Sequence, residues 1–355
     1  MALVNKAAFY PSNKAPTLTV SETSYPTARA GEVIIKVHAA GIGPIDHKIQ
    51  DLGTDILPFL TYPLVGGIDV AGTIVSCGNG TTGTTETNFN PGERVLAFVP
   101  EFSSRAGAFQ NYVAAPASLV VRIPDTLTFE EAVVLPSGVA TGTVALYRFL
   151  GLNLPTTPTT TPVQGRDKNE GEERQVVLIT AGASSVGSNA IQLAAASGYD
   201  VFTTASRRHF AHCRALGASK VFDYQAADVA STILTALKGR QCAGAVSCVE
   251  GSNALAFDVI RACEGEKAVA CSILFDAESV PAEIKAEMIH AHWIRDTPLA
   301  ETIFGSYLPG ALAGGGYKCE PRPRVVGHGL EAVQTALDIG KGNGVSCEKL
   351  VVTLA

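Results

Sequence analysis

Residues 176–208 read VVLITAGASSVGSNAIQLAAASGYDVFTTASRR, and the rest of the chain is organised around them. The apolar run from Val176 to Ile179 is too short for a helix core and is bounded by small residues, the mark of a buried parallel strand. A small-residue turn follows at 181–187. Ile191, Leu193, Ala194 and Ala195 then begin a helical apolar face, Gly198 stops the helix, and 201–204 supply a second strand. Strand, glycine turn, helix and strand within about thirty residues form a dinucleotide-binding βαβ unit.

Small residues are needed in this turn because backbone must approach a pyrophosphate held against the free N–H groups of the helix. Gly182 and Gly187 are present, while Ser184 and Ser185 stand where a second glycine is expected and bring hydroxyl donors that can reach phosphate. A plain βαβ unit without nucleotide is the alternative. An NAD site carries an acidic residue near the end of the second strand, accepting from the ribose 2′-hydroxyl. Here no Asp or Glu lies between Asp200 and Asp223, and the strand runs into Ser206, Arg207, Arg208 and His209. A hydroxyl beside two guanidinium groups suits a 2′-phosphate, whereas cations at a helix start oppose its dipole and need a reason to be there. NADPH is the expected cofactor.

The chain has 355 residues, 46% hydrophobic and 17% charged, with a mean hydropathy of +0.20. That is the composition of a globular protein with room for two domains. No apolar run approaches the roughly 18–20 residues of a membrane span, and the first residues lack the apolar segment of a signal peptide. A cytoplasmic protein without membrane contact is expected. The formal charge of −6 and the absence of a basic stripe argue against a nucleic-acid binder. Eight cysteines contain no C-x-x-C pair and read as reduced core thiols.

Taken in order, residues 1–75 are strand and turn, 78–91 form a polar loop, and PGERVLAFV and GAFQNYVAAPASLVVRIP add strands, giving a β-rich first domain. Thr128 and Glu131 form a capping-box pattern; Pro136 interrupts, and a second helix runs to about residue 150. Residues 153–174, rich in Thr and Pro and then in charge, read as a surface insertion. Beyond Gln175 strands alternate with helices, the mark of a doubly wound parallel sheet. From about Tyr317 strand-like sequence returns, then a helix, then KLVVTLA, which rejoins the first domain.

HAAGIGPIDHK, PLVGGIDVAG, PGERV, GAFQNYV, the central βαβ unit, ALGASKVFDY and GVSCEKLVV resemble, in order and over essentially the whole chain, the medium-chain dehydrogenase/reductase superfamily. LPSGVATGTVALY, ASRRHFAHCRALGASKVFDY, FGSYLPGALAGG and EKLVV resemble its zinc-free, quinone-reductase-like branch, above all the fungal trans-acting enoyl reductases of polyketide biosynthesis (lovastatin-type). The resemblance implies an α/β chain: a GroES-like β-rich domain at 1–141 and 317–355, and a Rossmann doubly wound parallel sheet at 142–316. Where zinc-dependent relatives carry a cysteine ligand this sequence has Gly43, and where they carry Gly-His-Glu it has Gly67, Ile68 and Asp69. Without thiolate or imidazole no tetrahedral site is expected.

By the same resemblance, Pro44, Ile45, Asp46 and His47 lie beside the nicotinamide, and Ser184, Ser185, Val186 and Gly187 meet the pyrophosphate. Ser206 to His209 meet the adenosine phosphate, Tyr224 meets the adenosine, and Leu350 and Val351 close over the cofactor. Lys48 and Thr141 are the implied catalytic pair; Lys48 donates to the thioester oxygen or supplies the proton. Thr141, Gly142, Thr143, Val144, Ala145, Leu146, Tyr147 and Arg148 line the substrate channel, with Pro309 to Leu312 gating its far side and His292, Trp293 and Arg295 on its wall. The implied activity is reduction of an α,β-unsaturated thioester on the acyl-carrier domain of a polyketide synthase, with Lys318, Arg322 and Arg324 as a basic rim for that acidic partner. A reductase of free quinones or 2-alkenals and a non-catalytic NADPH-binding protein are the alternatives. Relatives include sheet-edge dimers, but this subgroup implies a monomer.

Overall fold

The computed structural model describes residues 4–79, 89–156, 174–342 and 344–354. Most of the expected insertion at 153–174 and of the polar loop at 78–91 lies outside the described residues. The chain divides into two units: residues 1–137, 295–313 and 319–355, and residues 138–294 and 314–318.

The first unit is built on a seven-stranded sheet. Its path runs Arg322–His328, Glu348–Thr353, Glu32–Ile42, Asp69–Cys77, Arg94–Phe98 and Val120–Arg122, with Tyr112–Pro116 also paired to Glu32–Ile42. A three-stranded sheet of Thr19–Thr23, Asn5–Tyr10 and Leu64–Val65 accompanies it. Inward positions such as Val33, Ile35, Val37, Val70, Phe109 and Leu350 gather in one buried cluster, as period-two burial requires. The capping box forms as expected: the Thr128 hydroxyl accepts from Glu131 N, and Glu131 accepts from Thr128 N. Residues 295–313, expected in the second domain, count with the first unit because their helical segment packs on Ala117–Leu119 and Val120–Arg122.

The second unit holds a six-stranded sheet in which every pairing is parallel, ordered Ala218–Asp223, Asp200–Ala205, Val176–Ile179, Cys242–Ser247, Ala268–Cys271 and Lys285–Met288. Numbered within the unit, that order is 3-2-1-4-5-6. Val176–Ile179 and Cys242–Ser247 are buried at every residue, as strands covered on both faces must be. The order reverses on either side of Val176–Ile179, so a ligand crevice is expected beyond the carboxyl end of that strand, where residues 181–187 lie.

One helical run, 129–149, is long and apolar enough to cross a membrane by length and composition, a feature absent from the sequence expectation. It is 83% buried over its most apolar window, and so reads as a core helix.

Candidate active site

In the second unit the turn at 181–187 is closed by its own hydrogen bonds. Ala181 N donates to Thr204 Oγ1 (3.0 Å) and Ser184 N donates to Ala181 O (2.9 Å). Ser184 caps the helix Ser185–Ala196, its hydroxyl accepting from Gly187 N at 3.1 Å. A side chain at Gly187 would start 2.3 Å from Ala181 O, so the tight turn itself demands glycine. The two serines, expected to act alike, divide the work. Ser184 holds the helix start, while the buried Ser185 hydroxyl oxygen has no hydrogen-bond partner. The N–H groups of Ser185 and Val186 precede the helix's own bonding and are donors in search of an acceptor. An orphaned hydroxyl, first-turn N–H groups and an obligatory glycine suit a pyrophosphate, and the turn fits a dinucleotide.

At the end of Asp200–Ala205 the chain enters a short 3-10 turn, Arg207–His209, with Ser206 before it. Arg207 is exposed, and its Nε donates to Asp223 Oδ2 at 2.8 Å. That bond holds the Asp223 carboxyl below the usual range, helped by the Gln225 N–H. Arg208 Nε lies 3.2 Å from His209 Nε2. Tyr224, the residue after Ala218–Asp223, is 53% exposed. These residues gather at neighbouring strand ends, and nothing in the sequence signals that Asp223 engages Arg207.

The residues expected to line a substrate channel differ from one another. Thr143, Val144, Ala145 and Leu146 are fully buried and Thr141 nearly so. Tyr147 is committed to packing: its hydroxyl lies 2.9 Å from Ser197 Oγ and donates to Leu193 O. Arg148 is exposed; its guanidinium lies 5.1 Å over the Trp293 ring and donates to Trp293 O at 3.0 Å. Val144, Arg148, Lys285, Glu287, Ile289 and Trp293 line a small cavity, so two of the eight expected channel residues meet there.

In the first unit the helix Pro44–Leu52 begins at Gly43, with proline at its first position, where a missing N–H costs nothing. Pro44 is exposed and Ile45, His47 and Lys48 are partly buried. Burial pushes the His47 imidazole below its usual range. Asp46 is fully buried; its Oδ2 accepts from Gly43 N at 2.8 Å, and its Oδ1 has no partner. Burial raises its carboxyl to about 7, against the opposing pull of the Gly43 N–H and Lys349.

Beside Asp46 lies a network that the sequence reading missed. Lys349 Nζ donates to Asp69 Oδ2 at 2.7 Å and to Ser137 Oγ at 3.3 Å. Asp69 also accepts from Ser137 N (2.6 Å) and Ser137 Oγ (2.7 Å). Leu350 and Val352 belong to the apolar core, so alternation turns Lys349 and Val351 to the opposite face of the strand. The two strand residues expected over the cofactor therefore part: Leu350 packs into the core, and Val351 shares the face of Lys349. A side chain at Gly41 would run into Asp69 Cβ (2.9 Å) and Lys349 Cε (3.2 Å), and its absence lets that pair close. The available signal was a lysine opening the apolar run KLVVTLA.

The cations expected as a basic rim are each engaged within their own unit. Lys318 donates to Ala215 O in the second unit, while Arg322 and Arg324 in the first both pair with Glu348, at 2.7 and 3.8 Å. Pro309 to Leu312 lie in the helix Leu308–Ala313 with Ala311 and Leu312 buried, and Arg295 pairs with Asp296.

Residues 29–125 match the alcohol dehydrogenase GroES-like domain and residues 185–286 the zinc-binding dehydrogenase domain. The chain is 37% identical to the dehydrogenase pigH of Monascus ruber, with 99% of each chain covered. It is 33% identical to the trans-enoyl reductase himH of Aspergillus japonicus, covering 100% of this chain and 98% of that protein. The CurK enoyl reductase structure superposes with a TM-score of 0.74 at 18% identity over 99% of both chains, a likeness of fold alone. The Rossmann-type sheet with its glycine turn implies a nicotinamide cofactor. The chain belongs to the medium-chain dehydrogenase/reductase superfamily of oxidoreductases, among whose members its fungal relatives include proteins named trans-enoyl reductases.

Proposed function

We propose that this chain is an NADPH-dependent, zinc-independent enoyl reductase that acts in trans, in the cytoplasm, on a polyketide thioester held by an acyl-carrier domain. The full-length similarity to the himH trans-enoyl reductase supports the reaction class. The structural observation that carries the metal-free part is the Lys349–Asp69 pair beside Gly43. Where a zinc site needs thiolate and imidazole, this chain offers glycine, isoleucine and a carboxylate already held by an ammonium.

When bound, NADPH supplies a hydride to the β-carbon of the conjugated double bond. The π pair moves toward the carbonyl oxygen, and a proton then completes the α-carbon. Ser185 and the first-turn N–H groups of Ser185 and Val186 hold the pyrophosphate. Ser206 and Arg207 favour the 2′-phosphate, which a guanidinium binds bidentately. By family resemblance Lys48 donates to the thioester oxygen or supplies the α-proton, and Thr141 lies beside the thioester.

The test follows NADPH oxidation by its near-ultraviolet absorbance with an α,β-unsaturated thioester on a pantetheine mimic, with a quinone and NADH as controls. Rapid oxidation with thioester and NADPH together is the expected result. Oxidation with quinone alone would reassign the protein to small-molecule reduction.

A further inference from the structure

The polar network beside Gly43 is incomplete in one direction. Lys349 carries three N–H donors, of which Asp69 and Ser137 take two. Its side chain is only 5% exposed, so the remaining donor cannot rely on bulk water. Beside Lys349 Nζ lies the space that a side chain at Gly43 would occupy. A Cβ built there meets Lys349 Nζ at 3.4 Å and Asp46 Oδ2 at 3.9 Å, with nothing nearer. Gly43 is itself partly exposed, so this notch opens outward. Its backbone, φ −121° and ψ 174°, is extended and available to any residue, so neither the local conformation nor the packing requires glycine.

We propose that the Gly43 notch is a carbonyl-binding subsite and that Lys349 is a further catalytic residue, donating a hydrogen bond to the carbonyl oxygen of the conjugated substrate. As the π electrons shift onto that oxygen, the Lys349 ammonium stabilises the growing negative charge and keeps its own proton. Asp69 and Ser137 are its positioning residues: they fix the ammonium before the substrate arrives, so no reorganisation accompanies the charge shift. A fixed buried cation at hydrogen-bond reach suits an uncharged oxygen that becomes anionic during reaction; a permanent cation would be repelled. This subsite rests on the proposed reduction of a carbonyl-conjugated double bond, but not on the substrate being a thioester.

The test uses the full chain with Gly43→Ala, Lys349→Met, Lys349→Arg and the double variant Lys349→Met/Asp69→Asn, which removes both members of the buried pair should the single change fail to fold. Turnover is read with whichever conjugated carbonyl the wild type reduces, thioester or quinone. NADPH binding is followed separately by fluorescence. Gly43→Ala should lower kcat about tenfold or more, and loss of the ammonium about a hundredfold, the scale of one lost oxyanion donor, with NADPH affinity kept within about twofold. Lys349→Arg should recover part of the loss. A second readout needs no turnover: a saturated pantetheine thioester, which cannot be reduced, should shift the ¹⁵N resonance of the slowly exchanging Lys349 ammonium in wild type but not in Gly43→Ala. Wild-type kcat in Gly43→Ala and in the folded double variant, or an unmoved ammonium resonance, would overturn the subsite. A switch of substrate from thioester to quinone would overturn only the carrier-bound reading.

Discussion

Lys349 and Asp69 stand 280 residues apart in sequence, yet Nζ and Oδ2 meet at 2.7 Å with 5% and 0% of their side chains exposed. Removing one member of a buried pair leaves an uncompensated charge, a change worth about 3–5 kcal/mol. Lys349→Met is therefore expected to destabilise the chain by that order in urea unfolding at pH 7. Lys349→Met/Asp69→Asn should cost less than the single variant, because neither charge is left alone.

The buried Asp46 carboxyl ties stability to pH. Its carboxyl is raised from 3.8 to about 7 by burial. Between those values the folded chain keeps a proton that the unfolded chain has released, so stability falls as pH rises from about 4 to about 7. Asp46→Asn keeps an oxygen for the Gly43 N–H and cannot ionise. Its unfolding free energy relative to wild type should climb between about pH 4 and about pH 7, by on the order of a few kcal/mol, and level off above. A gap independent of pH would show that Asp46 remains ionised in the fold.

Ser185→Ala removes a hydroxyl that bonds nothing within the protein, so thermal stability should stay within about 0.5 kcal/mol of wild type. NADPH affinity should fall about tenfold, the worth of one hydrogen bond to a charged group. Gly187→Ala behaves differently: its new methyl group collides with Ala181 O, and both stability and cofactor binding should suffer. Calorimetric titration with NADPH checks both.

The proposed preference for NADPH rests on Arg207, which Asp223 now holds. Arg207→Ala should weaken NADPH binding about tenfold while leaving NADH nearly unchanged, since only the former carries the 2′-phosphate. Asp223→Asn removes the carboxylate that now takes Arg207 Nε and should tighten NADPH binding. Both effects should shrink in salt because the Arg207 guanidinium is exposed. Competition between the two cofactors at two ionic strengths measures this.

Much of the fold was legible in the sequence because its periodicities are local. The apolar run at 176–179, the glycine turn and the Thr128–Glu131 box each declare themselves within a few residues, and each is found where expected. The cofactor turn could be placed, but the division between Ser184 and Ser185 could not, since capping depends on where the helix begins. Lys349 was hidden because its partners Asp69 and Ser137 lie hundreds of residues away on other elements, and a lysine opening a strand ordinarily means solvent. The partners of the basic run at 318–324 were hidden for the same reason: Lys318 bonds Ala215 O and Arg322 pairs with Glu348, both outside that stretch. Residues 295–313 crossed the expected boundary because helix packing, not chain order, decides which core a segment joins.

Ala181 holds φ at +51°, a left-handed conformation that costs a residue with a Cβ about 1 kcal/mol. It is kept there by the Thr204 hydroxyl on one side and by Ser184 N on the other. The turn is thus set in shape before any ligand arrives, and a dinucleotide would find a cradle with little disorder left to surrender. Its capture should then release heat without a large entropic penalty, and amide exchange across 181–187 should be slow already in the apoprotein.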